Sequence, residues 1–238
     1  MAIVYYTRIM KTADILPAII PDSYESIADN VELVEPYVQV VQIDLLDGLY
    51  TGSYSWPWNT KGRLSHSLDN YIERGLPYWG TVDYEFDCMI VHPAQTLEKL
   101  IQLGPRRIVV HAQTLTDPEA EIALLQTYRP YVQIGIALTV HDDIDTYVPV
   151  MAEVDYVQCM GVFPVGSSGS VLQEGVYDLI KKVRKLFPDM LIQVDGGVNA
   201  ENITKLKKAG ANRFVSASAI FEKGIVEDNI AELEDLTL

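Results

Sequence analysis

The chain has 238 residues, 48% hydrophobic and 21% charged, so it can bury a large core, and we expect one domain spanning residues 1–238. Its formal net charge of −15 opposes binding to nucleic acids and anionic membranes, because clustered Lys and Arg recognise those partners. A bound anion must therefore be held locally, by backbone amides.

Short apolar runs alternate with longer amphipathic segments along the chain, which is typical of parallel strands that are each followed by a crossover helix. The predicted strands cover residues 15–20, 38–44, 84–91, 107–113, 132–140, 155–162, 191–197 and 213–221. The predicted helices cover residues 23–37, 93–104, 117–130, 142–154, 176–188, 199–211 and 226–236.

Eight strand and helix pairs in a chain of this length match the size of a single (β/α)8 TIM barrel, an α/β fold. An open, doubly wound sheet is the alternative, because periodicity does not show whether a parallel sheet closes. The barrel is favoured because no glycine-rich dinucleotide fingerprint follows the first strand.

The connection after the second predicted strand, residues 48–83, is a long insertion that contains Trp56, Trp58 and Trp79. Loops of this length at the C-terminal face of a barrel serve as substrate lids or as interface elements. We weigh a lid equally against a packing flap or a subunit contact. The aromatic side chains of the insertion predict a homo-oligomer.

Asp44 and Asp195 end two predicted strands in similar contexts, "QIDLLDG" and "QVDGG". Period-two alternation puts Gln42 and Asp44 on one face, and likewise Gln193 and Asp195. If those faces point into a barrel, the two carboxylates meet at its mouth, where they could invert a stereocentre by removing a proton from one face and returning it to the other. Alternatively, each aspartate caps its own turn.

Gly196 and Gly197 follow Asp195 directly and precede a predicted helix from Asn199, so their backbone amides could bind a phosphate at the helix N-terminus. Ser216 and Ser218 would add hydroxyl groups to the same site. A tight turn is the alternative reason for the glycine pair. The loop "FPVGSSGS" after the sixth strand, which contains Gly166 and Gly169, could close over the same anion.

The segments "ILPAIIPDSY", "VQIDLLDG", "VVHAQT" and above all "QVDGGVNAENITKLKKAGANRFVSASAIF" resemble the ribulose-phosphate 3-epimerase family. The resemblance implies a ribulose-phosphate-binding barrel that acts on a phosphorylated pentulose in the pentose phosphate pathway. It also implies that Asp44 and Asp195 exchange protons at C3 while a divalent metal stabilises the enediolate. Gly196, Gly197 and Ser218 would lie near the phosphate.

The family holds its metal with these two aspartates and two histidines, whose positions we assign here to Gln42 and Cys88. We predict Asp44, Asp195 and Cys88 as metal ligands, with Zn²⁺, Mn²⁺ or Fe²⁺ as the ion. A register shift of one residue would instead turn Asp87 into the pocket and favour Mg²⁺ or Mn²⁺. Cys88 as a plain buried hydrophobic residue is the further alternative.

Two other functions stay open: a non-catalytic phosphosugar-binding barrel that has lost its metal, and a related barrel enzyme that acts on another sugar phosphate. Cys88 and Cys159 lie far apart, which favours a reducing compartment over a disulfide framework. The N-terminus contains Arg8 and Lys11 and has no uninterrupted signal core, and no apolar run is long enough to span a membrane. We therefore expect a soluble, cytoplasmic protein.

Overall fold

A closed barrel of eight parallel strands forms the centre of the protein, as the sequence predicts. The structure, a computed structural model, describes residues 14–66, 68–166 and 168–238. The strands are β1 (Asp14–Ile19), β2 (Val40–Leu46), β3 (Trp58–Thr60), β4 (Arg63–Leu64), β5 (Asp83–Met89), β6 (Arg107–His111), β7 (Gln133–Leu138), β8 (Tyr156–Met160), β9 (Leu191–Asp195) and β10 (Arg213–Ser216). The barrel order is β1-β10-β9-β8-β7-β6-β5-β2, while β3 and β4 pair only with each other.

Helices surround the barrel. They are α1 (Tyr24–Val34), α2 (Leu68–Arg74), α3 (Ala94–Ile101), α4 (Pro118–Gln126), α5 (Val148–Met151), α6 (Val176–Leu186), α7 (Ile203–Ala209), α8 (Ser218–Phe221) and α9 (Val226–Asp235). In α1, a capping box at Ser23 starts the helix, and Ile27, Val31 and Val34 form its buried face at helical spacing. Among the residues described, no helix has the length and apolarity to cross a bilayer.

Alternate residues of each barrel strand serve two different environments. Along β2, Val41, Ile43 and Leu45 join the large hydrophobic cluster between strands and helices. Gln42 and Asp44 point the other way, where they bond to side chains from across the barrel. Since successive side chains of a strand alternate between faces, the polar residues of these strands collect in the interior.

Two predicted boundaries near the C-terminus are wrong. The strand predicted over residues 213–221 ends at Ser216, because the N–H groups of Ile220 and Phe221 bond back to the carbonyl of Ala217 and start α8. The helix predicted from Asn199 begins at Ile203.

The delay before α7 has a local cause. The Asn199 side chain accepts from the N–H of Glu201, and Asn202 donates from its side chain to the carbonyl of Gly197 at 2.8 Å. Asparagine side chains that bond to nearby backbone in this way compete with the helix.

Arg8 and Lys11, which interrupt any signal core in the sequence, belong to residues 1–13 and lie outside the described part of the chain.

The long connection after β2 contains the β3–β4 hairpin and α2, although the sequence predicts a loop there. Trp56 and Trp58 are each only 5% exposed and belong to the main hydrophobic cluster. Tyr24 of α1 stacks on Tyr71 at 4.6 Å between ring centroids, and Trp56 meets both rings edge-on. The middle of this connection is therefore packed against α1, whereas Trp79 is 74% exposed.

The contact between Gly135 of β7 and Tyr156 of β8 provides a test of the packing inside the barrel. A Cβ on Gly135 would lie 2.4 Å from the ring of Tyr156, its register partner. We expect Gly135→Ala to lower the free energy of unfolding by about 1–3 kcal/mol, because the buried ring has no room to move. Chemical denaturation measures this, and Gly80→Ala is the control, since a Cβ there would have no described atom within 4 Å. Equal stabilities of the two variants would contradict the tight packing.

Candidate active site

Three aspartates from different strands meet inside the barrel near the C-terminal ends of its strands. Asp44 lies in β2, Asp87 in β5, and Asp195 ends β9. One carboxylate oxygen from each lies within 4.8 Å of the other two. Asp87 is fully buried, and Asp44 and Asp195 are each 8% exposed. The structure thus brings Asp44 and Asp195 together and adds Asp87; we call these three residues the acid triad.

Cys88 does not join the acid triad. Its side chain is fully buried in the hydrophobic cluster outside the barrel, with its Sγ 3.7 Å from the carbonyl oxygen of Phe86. The register of β2 with β5 is unbroken and sets Asp87 opposite Asp44. Burial also raises the pKa of the Cys88 thiol well above its usual value, which disfavours the thiolate that binds metals. Cys88 is therefore corrected to Asp87 as the third candidate ligand.

Buried N–H donors surround the acid triad. The side-chain amide of Gln42 donates to Asp44 Oδ1 at 2.8 Å and to Asp195 Oδ2 at 2.9 Å. The amide of Gln158 donates to Asp87 Oδ2 at 2.9 Å and lies 3.4 Å from Asp195 Oδ2. His111 Nε2 lies 2.8 Å from Asp87 Oδ1. Each carboxylate of the triad is thus oriented by at least one buried glutamine side chain.

The protonation of the triad follows from its burial. Loss of hydration raises the pKa of Asp44 to about 8, with a further contribution from the charge of Asp87, against the opposing bond from Gln42. Burial and the charges of Asp44 and Asp87 raise the pKa of Asp195 well above its usual value. Three ionised carboxylates at this spacing repel one another, so the cluster must hold protons or a cation at neutral pH.

The donor set of the triad consists of oxygen atoms only. Hard divalent cations bind carboxylate oxygens, whereas a thiolate favours softer ions. Since Cys88 lies outside the cluster, the residues present fit a hard cation better than the softer ions that a Cys88 ligand would favour.

A cleft of about 390 Å³, including its open mouth, lies beside the triad. It is lined by Asp44 and Asp195 and by four of the predicted phosphate-binding residues, Gly196, Gly197, Ser218 and Gly169. Gly166 is not among the lining residues, because it packs closely on Thr51, whose Cγ2 would lie 2.7 Å from a Cβ at that position. Ser216 lines the cleft, but its hydroxyl donates to the carbonyl of Val198 at 2.9 Å.

The two glycines after Asp195 have a packing role as well. Both have positive φ, +99° for Gly196 and +72° for Gly197. A Cβ on Gly196 would lie 2.6 Å from Val162, and one on Gly197 would lie 2.7 Å from the backbone nitrogen of Leu172. The turn therefore needs glycine both for its conformation and for the close approach of the loop after β8.

Tyr50 covers another side of the barrel mouth. Its ring packs on the inner hydrophobic residues and lies 5.5 Å from the His111 ring, between centroids. Its hydroxyl donates to Gln113 Oε1 at 2.9 Å, and Gln113 in turn donates to Asp142 at 3.0 Å. Part of the long connection therefore packs beside His111 at the barrel interior, while its middle packs against α1.

Sequence reasoning gave no role near the acid triad to Gln158, to His111, or to the hydrogen-bonded pair Tyr50 and Gln113. Gln158 was recognisable in principle, since a lone polar residue in the buried strand "YVQCM" must find a partner inside. No local pattern indicates Tyr50 and Gln113, because their contact joins residues 63 positions apart.

Comparison with known proteins bears on this site. Residues 14–221 match the family model described as the ribulose-phosphate 3 epimerase family. The chain is 27% identical over 217 residues to a ribulose-phosphate 3-epimerase of Helicobacter pylori, covering 90% of this chain and 91% of that protein. It is 26% identical over 227 residues to the Bacillus subtilis protein of the same name, covering 92% and 97%.

Among solved structures, a 3-hexulose-6-phosphate synthase superposes with a TM-score of 0.67 at 17% identity, covering 94% of this chain and all of that one. At this identity the likeness concerns the barrel fold alone.

The raised pKa of Asp44 predicts how stability depends on pH. The folded protein holds a proton up to about pH 8 that the unfolded chain, with an ordinary pKa of 3.8, releases at lower pH. The free energy of unfolding should therefore fall as pH rises from about 4 to about 8. Asp44→Asn should flatten this slope and be more stable than the natural protein at pH 8, as measured by thermal unfolding in EDTA. Exposed Asp189→Asn should keep the natural slope, and equal slopes for Asp44→Asn and the natural protein would refute the assignment.

Proposed function

The chain belongs to the ribulose-phosphate 3-epimerase family, and from this we propose that it is an isomerase that inverts a stereocentre of a phosphorylated ketose. The observation that carries the proposal is the convergence of Asp44 and Asp195. Both carboxylates accept from the single amide nitrogen of Gln42, and both line the cleft beside the Gly196–Gly197 turn. D-ribulose 5-phosphate is the substrate we test first.

Proton exchange requires one ionised and one protonated carboxyl group. In the forward reaction, the ionised aspartate takes the proton from the carbon next to the carbonyl group, and the electron pair of the broken C–H bond moves toward the carbonyl oxygen. The protonated aspartate then delivers its proton to the opposite face of the same carbon. Raised pKa values at both Asp44 and Asp195 favour such a half-protonated pair at neutral pH.

The acid triad would also hold a divalent cation, through carboxylate oxygens of Asp44, Asp87 and Asp195. Such an ion, Mg²⁺ or Mn²⁺ by the chemistry of the ligands, would stabilise the negative charge that develops on the substrate oxygens. Asp87 is oriented for this role from both sides, by His111 on Oδ1 and by Gln158 on Oδ2.

The substrate phosphate would bind at the Gly196–Gly197 turn and Ser218. Backbone N–H groups there can approach an anion closely, and the Ser218 hydroxyl adds a donor. With the phosphate fixed at that end of the cleft, the adjoining carbons of the sugar reach toward Asp44 and Asp195, which line the same cleft.

Exchange of the C3 hydrogen tests the proposed reaction. In deuterated water with Mg²⁺ or Mn²⁺, the protein should incorporate deuterium at C3 of D-ribulose 5-phosphate, observed by proton NMR. Asp44→Asn and Asp195→Asn should each slow exchange by about 10²–10⁴-fold, because a general acid or base is lost.

The matched control is Asp83→Asn, since Asp83 is an exposed aspartate at the opposite end of β5. It should exchange at the natural rate. Absence of exchange with the natural protein under every metal tested would reject a pentulose 3-epimerase. Exchange seen only with another sugar phosphate would keep the isomerase and change its substrate, whereas tight binding without exchange would favour a non-catalytic phosphosugar-binding barrel.

The phosphate site is tested by the two serines of the cleft. Ser218→Ala should raise KM for the sugar phosphate about fivefold with little change in kcat, because loss of one hydrogen bond to a charged group costs about 1–2 kcal/mol. Ser216→Ala should alter stability rather than KM, since its hydroxyl is engaged by Val198. Steady-state kinetics measures both, and an unchanged KM for Ser218→Ala would remove that residue from the phosphate site.

A further inference from the structure

Arg213 determines how the buried side-chain amides below the acid triad are oriented, that is, which end carries the oxygen and which the nitrogen. Arg213 Nη1 lies 3.2 Å from one terminal atom of the Gln193 side chain. A guanidinium group only donates, so that atom must be the amide oxygen. The other terminal atom of Gln193 is then the nitrogen, which agrees with its contact at 2.5 Å to Glu85, an acceptor.

The nitrogen of Gln193 fixes the orientation of Gln158. Its NH₂ group has two hydrogens, and its two nearest acceptors are Glu85 and the side-chain amide of Gln158, at 2.5 and 2.6 Å. Since this nitrogen donates, Gln158 must turn its oxygen toward Gln193 and its NH₂ group away from it. The NH₂ group of Gln158 consequently faces the acid triad, where it donates to Asp87 Oδ2 at 2.9 Å.

We infer that Gln193 is a positioning residue: together with Arg213 it forces Gln158 to present N–H groups, rather than its oxygen, to the acid triad. Gln193 does not line the cleft, so it acts through Gln158. Both glutamines are fully buried, so water does not compete for these bonds. The arrangement favours an Asp87 carboxylate that is held by an N–H donor.

The same arrangement weakens cation binding, because an amide binds a cation through its oxygen and Gln158 turns its oxygen away. This consequence rests on the cation site proposed above, while the orientation of Gln158 does not. Gln193→Met should release this constraint. A methionine at residue 193 donates no hydrogen bond, so Gln158 could turn its oxygen toward a cation held by the triad.

The surroundings of Gln193 suit a neutral replacement. Glu85 accepts from Gln193 at 2.5 Å, but it is also flanked by two guanidinium groups, those of Arg107 at 3.3 Å and Arg213 at 3.6 Å. Glu85 therefore keeps charged partners when the amide of Gln193 is removed. Methionine also has nearly the length of glutamine, so we expect the Gln193→Met variant to fold.

The test is a titration of the EDTA-stripped, full-length protein with Mn²⁺ by calorimetry at one pH. Gln193→Met, which keeps the length of the side chain but donates no hydrogen bond, should bind Mn²⁺ about tenfold more tightly than the natural protein, the scale on which residues behind metal ligands act. Gln193→Leu, which also removes the donor, should shift the affinity in the same direction. Gln133→Met makes the same substitution at the exposed start of β7 and should leave the affinity within twofold.

The inference is overturned if neither Gln193 variant binds Mn²⁺ more tightly than the natural protein, or if Gln133→Met matches Gln193→Met. Should Gln193→Met fail to fold, Gln193→Leu decides in the same way. Isomerase activity is scored separately by the exchange assay. Exchange by the natural protein without a change in Mn²⁺ affinity would reject only the role of Gln193, whereas an affinity increase without exchange would support that role and reject the proposed reaction.

Discussion

Three carboxylates buried within 4.8 Å of one another are the constraint to which the rest of the site responds. At this distance two full charges repel by about 3.5 kcal/mol, even at an effective dielectric constant of about 20. A barrel interior does not supply water to offset that cost. The protein offsets it instead with a side-chain N–H donor on every carboxylate and with raised pKa values of Asp44 and Asp195, so that fewer than three charges are present at once.

The fold provides the rigidity that this arrangement needs. Strand alternation sends Val41, Ile43 and Leu45 into the outer hydrophobic layer while their neighbours Gln42 and Asp44 face inward. A slip of one residue in any strand would exchange the two sets, which the hydrophobic layer opposes strongly. The same packing that stabilises the barrel therefore fixes the acid triad and the glutamines below it.

The sequence predicted the barrel and the meeting of Asp44 with Asp195, because both follow from periodic patterns within single strands. It misassigned Cys88, because one residue of register in β5 separates the outer layer from the interior and the segment "DCM" permits both readings. The start of α7 at Ile203 depends on side-chain bonds of Asn199 and Asn202. The orientation of the Gln158 amide depends on Gln193, 35 positions further along the chain, and through it on Arg213, so no local pattern could reveal it.

The placement of charge explains how a chain with a net charge of −15 could accept an anionic sugar phosphate. If all three aspartates were ionised and free of a cation, they would repel a phosphate bound at the Gly196–Gly197 turn, which lines the same cleft. Protons or a cation on the triad remove that repulsion, and the backbone amides of the turn then act on the phosphate at short range. In the proposed reaction, neutralisation of the triad is thus required for binding of the sugar phosphate as well as for proton transfer.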